Sequence, residues 1–238
     1  MENSTLVDRL SRLSSELSAA ERENLKFILS MAAGGLLSGH AGNVDDELRK
    51  AALATAQRSL PALHGNLRAE FETGVVFCGR ASFFSDEDID ALDRENREYR
   101  PRADRFHDHF VASGAPIARE LALSQAISDF LAAKVGPVVP SFKANHLYYD
   151  QPGLGIDPHV DKDDFSLNVL TMLEHSPAER HSELILYPPE QDALHLQLQR
   201  GESLIFFADS VTHQRTRTAE GERIRLVSFG YRTIGAQS

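Results

Sequence analysis

The chain has almost no cysteine, since Cys78 is the only one among 238 residues. No disulfide can form within the chain, which is typical of proteins from a reducing cytoplasm. The N-terminus lacks the basic segment of a secretory signal, and the most apolar run, residues 27–39, is too short to span a bilayer. We therefore expect a cytoplasmic protein without a membrane partner.

Positive charge is also scarce relative to negative charge. The sequence has 25 Lys and Arg against 35 Asp and Glu, a formal net charge of -10. This excess repels the phosphate backbone, so we expect no nucleic-acid partner. Arginines 215, 217, 223 and 225 form no basic stripe, because they alternate along strands expected to face the inside of a barrel. The hydrophobic content of 42% is ordinary for a globular protein of this length.

The first 73 residues have the periodicity of amphipathic helices. Leucines recur at helical spacing over residues 6–17, and Ser18 to Glu21 has the form of a capping box that begins a second helix. A third helix is expected from residues 43–46 to Pro61, and a short fourth one over residues 63–71. We assign residues 1–73 to a helical N-terminal extension, which packs on the rest of the chain or forms a homodimer with a second copy.

Residues 74–238 are predicted to form a β-rich domain with covering helices. A strand at 74–79, a helix from Ser85 and a helix over 116–135 precede a series of short strands separated by turn signals. The strands are expected at residues 143–150, 156–161, 166–174, 183–187, 194–198, 204–208, 212–218 and 223–232. Eight such strands fit a double-stranded β-helix, a cupin-like jelly roll, so the predicted fold class is α+β.

The charged segment at residues 93–109 is predicted to be a loop or frayed helix that borders the active site of the β-rich domain. It contains the pair His107 and His109. No further ligand beyond Asp108 is evident, so we interpret the two histidines as solvated rather than as a second metal site.

The C-terminal half contains candidate metal ligands. His159 and Asp161 are two residues apart, so in a strand both side chains point to one face. His213 follows the apolar run 203–208, which reads as a buried strand that a jelly roll could bring beside them. Two imidazoles and one carboxylate hold iron(II) on one side and leave the opposite coordination positions open.

Arg223 lies ten residues after His213, at the start of the last predicted strand. A guanidinium inside a barrel needs an anionic partner, because it cannot lose its proton and an unpaired buried charge is costly. A carboxylate is the natural match. These features suggest an acid that Arg223 anchors at one end while its other end chelates the metal.

The order of these motifs resembles the iron(II)- and 2-oxoglutarate-dependent dioxygenases, in particular their prolyl-hydroxylase-like branch. The family pattern is a tyrosine strand, H-x-D, a glycine turn with an apolar strand, a distal histidine and G-x-R. The resemblance assigns His159, Asp161 and His213 to iron and Arg223 to the far carboxylate of 2-oxoglutarate. It also implies that Tyr149 hydrogen-bonds the same carboxylate. It covers roughly the last hundred residues.

Further contacts depend on strand register. If the face of strand 166–174 continues from Asp161, Thr171 and His175 touch the co-substrate, although a slip of one residue turns both outward. Arg225 shares a face with Arg223. It meets either a substrate carboxylate or, equally well, an acid near the mouth such as Asp163 or Asp164.

The resemblance implies an oxygenase that uses iron(II), 2-oxoglutarate and O2 and releases succinate and carbon dioxide. Halogenating relatives carry a small residue at the position of Asp161, so its presence makes hydroxylation the default expectation. The compact acidic chain favours a small-molecule substrate, such as an amino acid or a natural-product intermediate. The alternatives are a peptidyl or protein-residue hydroxylase, and a non-catalytic jelly-roll binding protein, which would lack a ligand or the anchoring arginine.

Overall fold

The structure, a computed structural model, describes residues 5–39, 44–64, 69–106, 108–161, 165–177 and 179–234. Its α-helices are α1 (Leu6–Glu16), α2 (Ala19–Leu37), α3 (Asp46–His64), α4 (Asp86–Tyr99), α5 (Pro116–Ala122) and α6 (Gln125–Val135). Its strands are β1 (Val75–Arg80), β2 (Asp104–Phe106), β3 (His109–Ser113), β4 (Val138–Tyr149), β5 (Ile156–His159), β6 (Leu167–Ser176), β7 (Leu184–Tyr187), β8 (Leu194–Leu196), β9 (Glu202–Phe207), β10 (Thr212–Arg215) and β11 (Arg223–Thr233). Short 3-10 helices span Ala69–Phe71 and Arg100–Arg102.

The strands form two antiparallel sheets, as the predicted jelly roll requires. The larger sheet has the order β1-β9-β6-β11-β4-β3-β2, and the smaller one has the order β5-β10-β7-β8. Strands distant in sequence are neighbours, so β5 pairs with β10, which follows it by more than fifty residues. The fold is mixed α+β with N-terminal helices, as the sequence predicts.

The large sheet is buried on both faces. One face packs against helices α4, α5 and α6 through residues such as Val169, Ile205 and Phe229. The other face packs against the small sheet, where Leu170 and Leu226 meet Leu186 of β7. The space between the two sheets therefore holds the inner core.

Capping boxes mark the first residues of the two N-terminal helices α1 and α2. The predicted capping box at Ser18 and Glu21 is confirmed, and a second one at Thr5 begins α1. The third helix does not stop at Pro61 but includes it. Helix α2 packs on β5, while the boundary after residue 73 stays a prediction. Within the described ranges, no helix is long and apolar enough to cross a membrane.

Two helical predictions need correction. Within the segment 93–109, residues 93–99 are regular helix, because Ser85 caps α4 in a capping box and its buried residues Ile89 and Leu92 anchor it to the core. The predicted helix at 116–135 is two helices, α5 and α6. The chain leaves α5 at Leu123, and α6 starts after Ser124.

Candidate metal centre

Two histidines face each other across the first strand pair of the small sheet. His159 is the last residue of β5, and His213 is its register partner on β10. Their ring centroids lie 4.4 Å apart. Asp161 Oδ1 lies 3.4 Å from His159 Nε2 and 3.6 Å from His213 Nε2. In the part of the chain that the structure describes, this is the only group of three such side chains whose ligand atoms converge.

Backbone carbonyls orient both imidazoles. The carbonyl of Asp157 accepts a hydrogen bond from His159 Nδ1 at 2.8 Å, and the carbonyl of Val211 accepts one from His213 Nδ1 at 3.0 Å. Because a carbonyl can only accept, each Nδ1 carries a proton, and Nε2 is the nitrogen whose lone pair is available to a cation once it is deprotonated. Such a second hydrogen bond is the usual way in which proteins fix a metal-binding histidine. The donor set therefore fits a divalent cation.

The carboxylate of Asp161 is held by a short chain of polar side chains from the large sheet. Asn168 Nδ2 donates to Asp161 Oδ2 at 3.2 Å, and Ser228 Oγ donates to Asn168 Oδ1 at 2.9 Å. One carboxylate oxygen is thus engaged by Asn168, while the other faces both imidazoles. This arrangement prepares Asp161 to bind a metal through a single oxygen.

Electrostatics keep Asp161 ionised. Burial would raise the pKa of its carboxyl group, but the charges and hydrogen bonds of His213 and His159 outweigh burial and hold the pKa well below its ordinary value. Burial would lower the pKa of His159, and its contacts with Asp161 raise it instead. A cation bound between these groups would replace the imidazole protons as the partner of the carboxylate.

Arg215 brings a buried positive charge to the same strand face. It lies two residues after His213 on β10, and this stretch pairs regularly with β7, so the two side chains point the same way. Arg215 is only 4% exposed, and its guanidinium makes no hydrogen bond or ion pair with any described residue. Burial lowers the pKa of Arg215, opposed by Tyr149 and Glu222. A buried guanidinium of this kind calls for an anion.

Tyr149 lies beside this arginine. The Arg215 guanidinium carbon is 5.4 Å from the centroid of the Tyr149 ring, and the same ring stacks on His109 at 5.1 Å between ring centroids. Burial raises the pKa of Tyr149 to about 12, while Arg215 lowers it and Asp161 raises it. The phenol is therefore within electrostatic range of both Asp161 and Arg215.

Glu222 is close enough to Arg215 to affect its pKa, but its carboxylate is already saturated. It accepts hydrogen bonds from His175 Nε2 at 2.7 Å and from the backbone N–H groups of His181, Ser182 and Ala219. These contacts overcome burial and lower the pKa of Glu222 to about 2. The anion that would pair directly with Arg215 must therefore come from outside the described residues.

His175, which was expected to touch the co-substrate, lies beside Glu222. Its Nε2 donates to Glu222, and burial lowers the pKa of its imidazole, which favours the neutral tautomer with the proton on Nε2. Its buried Nδ1 has no hydrogen-bond partner among the described residues. In this tautomer Nδ1 accepts a hydrogen bond, which water or a hydroxyl can supply and a carboxylate cannot.

The structure places the two arginines of the last strand away from the triad. The Arg223 side chain is 63% exposed, and its guanidinium lies 3.9 Å from Glu174. Arg225 is buried on the helix-facing side, where it binds Glu174 and contacts Asp93 at 2.8 Å. Arg225 therefore forms an ion pair, which was the alternative to substrate binding. Its partners are Glu174 and Asp93. Asp163 and Asp164, the acids named in the prediction, lie outside the described residues.

Thr171 also points away from the space between the two sheets. It shares the helix-facing side with Val169 and hydrogen-bonds Ser203 at 2.8 Å. The pairing of β6 with β11 skips Leu173, so a bulge separates Thr171 from His175 and reverses their alternation. The prediction that both residues share one face is wrong for this reason.

His109 is not the solvated residue that was expected. It is buried at the start of β3, where its ring stacks on Tyr149. His107 lies outside the described residues.

Sequence reasoning passed over three residues that the structure brings to the site. Asn168 and Ser228 have no motif, because an amide and a hydroxyl in buried strands occur for many reasons. Arg215 had a usable signal. The same two-residue spacing that groups His159 with Asp161 groups His213 with Arg215.

Comparisons with known proteins support the fold. No family model and no curated protein matches the sequence. Among solved structures, SnoN, a non-heme α-ketoglutarate-dependent epimerase from nogalamycin biosynthesis, is 17% identical, with 74% of this chain and 82% of SnoN covered and a TM-score of 0.56. A 2OG-Fe(II) oxygenase family protein from Burkholderia pseudomallei is 16% identical, with coverage of 68% and 85% and a TM-score of 0.54.

A third solved structure, HygX from Streptomyces hygroscopicus with nickel and 2-oxoglutarate bound, is 12% identical, with coverage of 69% of this chain and 87% of HygX and a TM-score of 0.52. These similarities do not single out the prolyl-hydroxylase branch. The chain is structurally similar to iron(II)- and 2-oxoglutarate-dependent oxygenases and has their jelly-roll fold.

Proposed function

We propose that the protein is an iron(II)- and 2-oxoglutarate-dependent oxygenase. The observation that carries the proposal is the convergence of His159, Asp161 and His213, whose ligand atoms all lie within 4.8 Å of one another. Ligands on one side of a ferrous ion leave the opposite positions for a chelating keto acid and for O2. The iron would supply the oxidation, and the chain would supply the ligands and hold them in position.

Within this proposal, Arg215 anchors the far carboxylate of 2-oxoglutarate. It is the buried guanidinium on the strand face of His213, and it has no anionic partner of its own among the described residues. Tyr149 lies against it and would donate its hydroxyl proton to the same carboxylate. Arg223, which the family resemblance assigns to this task, is largely exposed. The anchor therefore belongs to β10 rather than β11.

The proposed reaction is hydroxylation of a small molecule, with release of succinate and carbon dioxide. The retained carboxylate of Asp161 supports hydroxylation, because it fills the position that halogenating relatives leave open for a halide. Two of the similar structures support a small molecule: SnoN belongs to nogalamycin biosynthesis, and HygX has been solved with hygromycin B bound. The complete triad speaks against a non-catalytic binding protein.

The test is succinate formation from 2-oxoglutarate by the purified protein with iron(II) and O2. A panel of amino acids and natural-product intermediates is screened for stimulation, with mass detection of one added oxygen. We expect His213→Ala to abolish succinate release. His195→Ala is the matched control, since His195 lies in the same sheet but is exposed and pairs with Glu183. Full turnover by His213→Ala would refute the assignment.

A further inference from the structure

Helix α2 lies against the strand that carries the first candidate ligand. Its buried residues are Lys26, Ser30, Ala33 and Gly34, which form one face of the helix. This face contacts β5, whereas Phe27, Ile28 and Met31 of the same helix are exposed. The helix thus turns its small and polar side, rather than its large apolar side, toward the candidate metal centre.

Strand β5 needs a second support. It is an edge strand of the small sheet and only four residues long, and β10 is its one neighbour among the described strands. That pairing is irregular, since the register shifts between His213 and Arg215. A short edge strand held on one side by an irregular ladder does not by itself fix the position of His159.

Helix α2 supplies that support through two contacts. Ser30 Oγ accepts a hydrogen bond from the backbone N–H of Val160, between the two candidate ligands, at 3.3 Å. A Cβ atom at Gly34 would lie 2.5 Å from the carbonyl oxygen of Pro158, so only glycine allows the helix to approach this closely. Nearby, Lys26 is buried within electrostatic range of Asp161 and Asp209.

We infer that α2 is a positioning element of the metal centre, and that Gly34 and Ser30 seat it on β5 so that His159 and Asp161 keep their ligand geometry. The N-terminal helices are then part of the site rather than an appendage. This inference rests on the proposed metal binding by the triad, but it does not require a particular substrate. Outer contacts that orient ligands commonly change metal affinity by about 10- to 100-fold.

Adjacent glycines provide a matched test. A Cβ at Gly35 meets no atom within 4 Å, so Gly35→Ala adds the same methyl group to the same helix without touching β5. The dissociation constants of Mn(II) and Co(II) are measured by titration for wild type, Gly34→Ala and Gly35→Ala, with folding checked by circular dichroism. We expect Gly34→Ala to raise them by about 10-fold or more, and Gly35→Ala to change them less than twofold. Equal affinities in the two variants would overturn the inference.

Two further measurements keep the outcome decisive. If Gly34→Ala does not fold, Ser30→Ala removes only the hydrogen bond to Val160 and should still weaken metal binding several-fold, while an unchanged affinity would count against the inference. Linkage also requires that metal slow amide hydrogen exchange in residues 19–37 of the wild type. Metal binding that depends on Gly34 without any succinate formation would refute the proposed function alone, whereas a wild type that binds no metal would refute both.

Discussion

On strand β11, side chains with even numbers point into the space between the sheets, and those with odd numbers point toward helices α4 to α6. Leu226 belongs to the inner core and Ser228 supports Asp161 through Asn168, whereas Val227 and Phe229 pack against the helices. Arg225 follows the odd-numbered pattern and binds acids on the helix side. The inner face thus serves the candidate site, and the outer face attaches the helices.

This division predicts that a substitution on the helix-facing side of β11 lowers the stability of the protein without weakening metal binding. Arg225→Met removes a buried guanidinium from between the partly buried carboxylates of Glu174 and Asp93, and among the described residues Asp93 then keeps only the exposed Arg97 as a cationic partner. Removing one member of a buried ion pair costs about 3 kcal/mol of unfolding free energy. Urea unfolding of the metal-free protein measures the loss, and the metal dissociation constant should stay within about twofold of the wild type. If the variant had normal stability but bound metal poorly, the helix-facing side of β11 would serve the metal site rather than the attachment of the helices.

A substitution that faces the space between the sheets should instead weaken metal binding. Asn168→Ala removes the amide that holds Asp161 Oδ2, so the carboxylate can rotate away from its ligand position. We expect metal affinity to fall by about 10- to 100-fold. Metal titration is the measurement, and Ser113→Ala is the control, since Ser113 bonds Asn145 in an exposed position of the same sheet. If both variants bind metal alike, Asn168 does not position Asp161.

The sequence predicts the jelly roll and the convergence of the triad, because turn spacing and H-x-D are local signals that tolerate small errors in register. It does not predict the orientation of Arg223 or Thr171. Both faces of β6 and β11 are buried, so apolar residues such as Leu226 and Val227 follow one another and the alternation that reveals register disappears. The bulge at Leu173 then reverses the alternation within β6.

The smallest effect is expected at Arg223. Its exposed guanidinium makes one long contact with Glu174, and such surface pairs contribute less than about 1 kcal/mol. Arg223→Met should therefore change the unfolding free energy by no more than about 0.5 kcal/mol. Urea unfolding and the 2-oxoglutarate requirement for succinate formation both check this. If this variant needed a much higher 2-oxoglutarate concentration than the wild type, Arg223 on β11 would be the residue that binds the co-substrate carboxylate.

The most direct test of the account is calorimetric titration of 2-oxoglutarate into the Mn(II)-loaded protein without O2, for wild type, Arg215→Met and Arg223→Met. Loss of a charge-assisted carboxylate contact corresponds to about a 10- to 100-fold weaker affinity. We predict this loss for Arg215→Met, with its Mn(II) affinity retained, and wild-type affinity for Arg223→Met. Normal 2-oxoglutarate binding by Arg215→Met together with its loss in Arg223→Met would contradict the account.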